Sequence, residues 1–65
     1  MADLKKLSML VVEDDELIRK MVISWFRDGP YEFIEAEDGA DGLRKAMRYK
    51  PDVIITDKVP QDKKK

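Results

Sequence analysis

Apolar and polar positions follow two different periods along the chain. Leu7-Ser8-Met9-Leu10-Val11-Val12 is a nearly continuous apolar run, the pattern of a short strand buried on both faces. After the acids Glu13-Asp14-Asp15-Glu16, the residues Leu17, Ile18, Met21, Val22 and Trp25 recur at helical spacing and predict a helix from about Asp15 to Arg27. Asp28-Gly29-Pro30 ends it, since glycine at a helix end tolerates the left-handed conformation and the proline cannot continue the ladder. Tyr31-Glu32-Phe33-Ile34-Glu35-Ala36 mixes apolar and acidic positions, as an edge strand does when further pairing must be discouraged. A second helix follows Glu37-Asp38-Gly39, where Gly39 reads as a turn residue. Its stripe of Ala40, Leu43, Ala46 and Met47 is smaller, and Gly42 costs up to about 1 kcal/mol against alanine, which makes it the weaker helix. Lys50-Pro51 closes it, and Asp52-Val53-Ile54-Ile55-Thr56 forms a third strand whose β-branched run implies burial on both faces.

The order is βαβαβ, an α/β fold whose right-handed crossovers make the sheet parallel. A 1-2-3 progression and a 2-1-3 order are both open. The second accounts better for the composition, because it places the apolar first strand in the middle and the acidic second strand at an edge. It also creates a switch point between strands 1 and 3, where the carboxyl ends of a parallel sheet bind ligands.

Composition narrows the classes. Sixty-five residues make one small domain, and such a chain buries only about 60% of the surface its unfolded form exposes. With no cysteine and no histidine, neither disulfides nor a His/Cys zinc site can reinforce it, which leaves oligomerisation or a hard-cation site. The net charge is −1, with the excess acid on residues 1–57 and four lysines after them. A nucleic-acid surface on the body of the domain is therefore not expected. Residues 1–60 read as the domain and residues 61–65, with Lys63-Lys64-Lys65, as a basic, disordered, solvated tail. No apolar run approaches the length needed to cross a membrane and no signal pattern opens the chain, so the expected address is the cytoplasm. Trp25 is expected to anchor the core or a dimer interface, Met9, Met21 and Met47 to fill the core, and Arg19 and Lys20 to lie on a solvated helix face.

Glu13 and Asp14 follow strand 1 and Asp57 ends strand 3, so in the 2-1-3 order three carboxylates converge. Acids ahead of a helix are commonly only an N-cap and first-turn residues favoured by the helix dipole, and Asp15 and Glu16 are read that way. Asp57 is harder to explain by capping, because it directly follows a doubly apolar strand and no helix pattern comes after it. Like charges gathered this closely call for a cation, and oxygen donors without histidine point to Mg2+ rather than zinc.

Leu10-Val11-Val12-Glu13-Asp14-Asp15, Arg19 five residues after Asp14, Glu37-Asp38-Gly39 and Lys50-Pro51-Asp52-Val53-Ile54-Ile55-Thr56-Asp57 together resemble the receiver domain of two-component response regulators over about residues 6–60. The resemblance implies a truncated flavodoxin-like fold, here three parallel strands and two helices. It implies Mg2+ held by Glu13, Asp14 and Asp57 with the backbone carbonyl of Val59, and Asp57 as the phospho-acceptor served by a histidine kinase or phosphotransfer protein. The activity implied is at most slow self-phosphorylation and self-dephosphorylation, not that of a true enzyme. Asp57-Lys58-Val59-Pro60 departs from the family, which usually places its proline one residue later. The family's later strands, with their switch hydroxyl and lysine, have no counterpart in this sequence. A half-domain of this kind exposes an apolar edge, so a symmetric homodimer through strand 3, its paired strands antiparallel, is expected to complete the sheet. The alternative function is a truncated or engineered half-receiver that dimerises or folds without productive phosphorylation.

Overall fold

The computed structural model describes residues 6–56. Within them the chain forms β1 (Leu7–Val12), α1 (Glu16–Phe26), β2 (Tyr31–Ala36), α2 (Gly39–Tyr49) and β3 (Val53–Thr56). The strands make one parallel sheet of order β2-β1-β3. Val12 is the partner of Ala36 on one side and of Thr56 on the other, so the three carboxyl ends finish level. The central position of β1 follows from its composition: Met9, Leu10 and Val11 are each fully buried, which only a strand covered on both faces and both edges achieves.

Each helix starts on an aspartate. Asp15 Oδ1 accepts from the N–H groups of Leu17 at 2.9 Å and Ile18 at 3.3 Å, and Asp38 Oδ1 accepts from Asp41 N–H at 2.8 Å. The helix ends do not draw on the left-handed freedom of glycine. No glycine has positive φ; the left-handed residue is Lys50, at φ 48°, whose N–H bonds Ala46 O at 2.9 Å to close α2 before Pro51. Gly29 acts instead through its size, because a Cβ there would stand 2.8 Å from the Tyr31 ring. That ring meets Phe26 edge-on at 5.9 Å and so ties the end of α1 to the start of β2.

Leu10, Val12 and Ala36, with Ile34 and Ala46, form the core beneath α2. Gly42, buried in the first turns of α2, faces Val12 so closely that a Cβ would come within 2.8 Å of Val12 Cγ2. The helix-propensity cost of this glycine is thus offset by a close helix-to-strand approach.

Three burial expectations are overturned. A helix about 10 Å across covers roughly two strands spaced about 4.8 Å apart, and both helices sit over β1 and β2. The faces of β3 are consequently not both buried: its residues alternate between half-buried and exposed, and Ile54 is 52% exposed. No residue of α1 is buried, and Trp25 is 66% exposed, so it anchors no core within the described residues. Met9 fills the core as expected, whereas Met21 and Met47 are exposed. β3 also begins one residue later than its apolar pattern suggests. Asp52 Oδ2 accepts from Ser8 N–H at 2.9 Å and Ser8 Oγ at 3.3 Å, while Asp52 N–H donates to Ser8 O at 2.9 Å. This clamp joins the first turns of the β1–β3 ladder.

Candidate functional site

The acidic segment leaves β1 at the level carboxyl end of the sheet. Glu13 extends the ladder by one bond, its N–H donating to Ala36 O at 3.0 Å, and it is buried at 6% exposure. Its Oε2 accepts from Asp15 N–H at 3.1 Å, so the carboxylate is turned toward the loop it belongs to. Asp14 follows on the exposed side of that loop, and Asp15 and Glu16 serve as N-cap and first-turn acid, as read from the sequence. Asp57 follows Thr56 directly in sequence, and Thr56 is the register partner of Val12 just as Glu13 follows Val12. Asp57 itself and Val59 lie outside the described residues, as does the tail 61–65. Among the described residues no three acidic side chains are grouped to hold a metal ion. Glu13 and Asp14 offer carboxylate oxygen in a chain with neither histidine nor cysteine, a donor chemistry that suits a hard divalent cation.

Arg19 is the residue that sequence reasoning misplaced. It does not lie on a solvated face: its side chain is 14% exposed, its Nη1 donates to the Glu13 carbonyl at 2.6 Å and its Nε to Glu35 Oε1 at 2.8 Å. One guanidinium therefore links the acidic loop, α1 and β2. The bond with Glu35 raises the Arg19 pKa against the opposing effect of burial, and the same bond, helped by Lys20 at 3.3 Å, holds the Glu35 carboxyl below its ordinary range. From the other face of the sheet, Lys45 donates to the Glu35 carbonyl at 2.6 Å and pairs with Asp41 at 3.2 Å. Asp41 also engages Arg44; burial pushes its carboxyl up, but the bonds from Lys45 and the Glu37 N–H outweigh this and leave it lowered. The signal available in the sequence was the placement of Glu35 on the α1 side of β2, since an acid one residue before a strand's buried last position needs a cation from the helix above it.

No helix among the described residues is long and apolar enough to cross a membrane. No family model matches the chain, and no solved structure matches it closely. Among curated proteins, the transcriptional regulatory protein PdtaR from two strains of Mycobacterium tuberculosis is 38% identical over 55 residues, covering 82% of this chain. The chain spans 27% of the length of these relatives. Over 82% of its residues the chain is therefore homologous to a response regulator, and its parallel βαβαβ sheet is consistent with a receiver half-domain.

Proposed function

We propose that the chain is a receiver-like signalling module of a two-component phosphorelay, with Asp57 as phospho-acceptor and with Glu13, Asp14 and Asp57 holding Mg2+, joined by the carbonyl of Val59. The observation that carries this reading is the register: β1 and β3 are parallel neighbours that finish level at Val12 and Thr56, and the acids Glu13 and Asp57 are the next residues of the two strands. Homology to a response regulator supports the same signalling role.

When bound, Mg2+ supplies positive charge against the oxygens of a transferring phosphoryl group. The chain's own residues do the rest. A carboxylate oxygen of Asp57 forms the new bond to phosphorus in line with the bond that breaks to the donor, so the donor's histidine nitrogen leaves with that bond's electron pair. Arg19 positions the acidic loop by holding the Glu13 carbonyl, and the N–H of Asp15 orients the Glu13 carboxylate. In this reading the partner is a histidine kinase or phosphotransfer protein and the compartment is the cytoplasm.

The test adds Mg2+ with a small-molecule phosphodonor, or with beryllofluoride, and follows intact mass and Trp25 fluorescence. A phosphoryl mass gain that needs Mg2+ and vanishes in Asp57→Asn is the expected result. Stabilisation by Mg2+ with no mass gain would replace phosphoryl acceptance with cation binding alone, and no response to either reagent would defeat both.

A further inference from the structure

The ladder between β1 and β2 runs on into the acidic loop. Glu13 N–H donates to Ala36 O at 3.0 Å, the next rung of a parallel pair whose last register partners are Val12 and Ala36. In an extended strand the C=O of a residue points to the same side as its N–H, so a further rung would bring the Asp38 N–H to the Glu13 carbonyl. β2 ends at Ala36, however, and Asp38 serves as the N-cap of α2. A side chain takes that place: Arg19, in the first turns of α1, donates through Nη1 to Glu13 O at 2.6 Å and through Nε to Glu35 Oε1 at 2.8 Å. Both main-chain groups of Glu13 are thus held from consecutive residues of β2, one directly by Ala36 and one by Glu35 through a guanidinium. Arg19 is itself fixed, its side chain 14% exposed and its own N–H bonded to Asp15 O at 2.9 Å. Asp15 N–H in turn donates to Glu13 Oε2 at 3.1 Å, so residues 13, 15 and 19 close a ring of hydrogen bonds around the turn that carries Asp14.

On the reading that Glu13, Asp14 and Asp57 hold Mg2+, we propose that Glu35, acting through Arg19, is a positioning residue for the cation: the pair fixes the Glu13 peptide and thereby sets how tightly the loop binds the ion. Mg2+ accepts little departure from octahedral geometry at short metal–oxygen distances, so a loop free to drift binds it poorly even with both of its carboxylates present. The brace needs an arginine. Its two acceptors, the Glu13 carbonyl and the Glu35 carboxylate, are served by different nitrogens of one planar group, a fork that a lysine ammonium on a flexible stem does not present. Glu35 also neutralises the guanidinium, which without it would be drawn to the loop's own carboxylates and compete with the cation. Charge alone makes the opposite prediction for Arg19, because removing a positive group near the loop would tighten cation binding. The sign of the change therefore separates positioning from simple electrostatics.

The experiment titrates Mn2+, which shares the preference of Mg2+ for oxygen donors, into the 65-residue chain and follows the free ion by electron paramagnetic resonance, with Mg2+ as competitor and circular dichroism on every variant. Expected is a loss of affinity of about tenfold or more in Arg19→Met, the size typical when a group that orients a metal ligand is removed, and a similar loss in Glu35→Ala. Arg19→Lys should not restore it, whereas Glu35→Gln, whose amide oxygen still accepts from Nε, should recover most of what Glu35→Ala loses. The double variant of Arg19→Met and Glu35→Ala should bind no more weakly than Arg19→Met alone, since the two residues act as one brace. Should Arg19→Met fail to fold, Glu35→Ala and Glu35→Gln, which leave Arg19 in place, carry the test. Affinity unchanged or raised in Arg19→Met and Glu35→Ala, or losses that add in the double variant, would overturn the proposal and leave the acidic site standing, provided that Asp14→Asn abolishes binding in the same assay. A parent chain that takes up no Mn2+, or whose affinity survives Asp14→Asn, would sink the cation reading and the positioning role with it.

Discussion

Two glycines three residues apart in α2 should respond to alanine in opposite ways, and the sign of each response tests the packing of the helix on the sheet. Replacing a helical glycine with alanine ordinarily gains about 1 kcal/mol from backbone entropy alone. At Gly39 nothing lies within 4 Å of the new methyl, so Gly39→Ala should keep that gain or part of it. At Gly42 the methyl would meet Val12 Cγ2 at 2.8 Å and Cγ1 at 3.2 Å. Rotating χ1 of Val12 cannot remove both contacts, because one branch replaces the other. The neighbour is also held on both sides by β2 and β3, so relief must come from moving α2 away from the sheet. Overpacking of this kind costs about 1–3 kcal/mol, which exceeds the propensity gain and leaves Gly42→Ala destabilised by up to about 2 kcal/mol.

Urea unfolding followed by far-UV circular dichroism, at one fixed protein concentration, reads both variants. With m near 1 kcal/mol/M for so small a domain, each 1 kcal/mol moves the midpoint by about 1 M. Val12→Ala supplies the internal control. Alone it should cost about 2 kcal/mol for two buried methyl groups, but in its background Gly42→Ala should turn neutral or stabilising, a coupling that a double-mutant cycle isolates. A Gly42→Ala midpoint raised as far as that of Gly39→Ala, or an additive cycle, would refute the close approach of α2 to β1.

Other outcomes follow from the site and the caps. Glu35 has a folded pKa below its ordinary 4.5, so its contribution is fully present above that pH and lost as pH falls through the lowered value; Glu35→Gln should flatten the acid limb of stability there and leave neutral pH less stable than the parent, measured as thermal midpoint against pH. Asp15→Ala removes the acceptor for Leu17 and Ile18 N–H and should cost about 1 kcal/mol, with Asp15→Asn or Asp15→Ser restoring most of it in the same urea assay. Asp52→Ala opens the clamp on Ser8 and should cost about 1–2 kcal/mol for two lost acceptor contacts, with amide exchange rising first at Ser8; an unchanged exchange rate would count against the clamp.

β1 and β2 were legible to the residue because their signals were local: an apolar run bounded by acids, and a mixed run bounded by Pro30 and Glu37. The sheet order was legible because only β1 had the composition of a middle strand. Burial was less legible, since an apolar stripe states what a helix can cover but not how much floor lies beneath it; Trp25 and Met47 carry the right residue types yet lie exposed beside the three described strands. The two helix ends show a related limit. Glycine is permitted the left-handed region without being required to use it, and the residue that enters it is Lys50, whose N–H bonds the Ala46 carbonyl ahead of Pro51 where the sequence already ended α2. The acid pair of the candidate site was visible as Glu13-Asp14, whereas its support was not, because Arg19 and Glu35 are sixteen residues apart and meet only once α1 has crossed over β2.

That crossing gives the two acids of β2 separate roles. Strand residues alternate between faces, so Glu32 and Glu35 cannot both serve as guards on one face of an edge strand. Glu32 is exposed and keeps the β2 edge charged. Glu35 instead receives Arg19 and Lys20 from α1, while its backbone carbonyl receives Lys45 from α2, so one strand position anchors both helices. Because Arg19 also holds the Glu13 carbonyl, the acidic loop is braced against β2 on the far side of β1 from β3. The geometry of Glu13 is thereby set by the half of the sheet the helices cover, and it does not require β3 to be covered as well. The acidic loop is thus held from the β2 side, through Arg19 to Glu35 and through the Glu13 N–H to the Ala36 carbonyl.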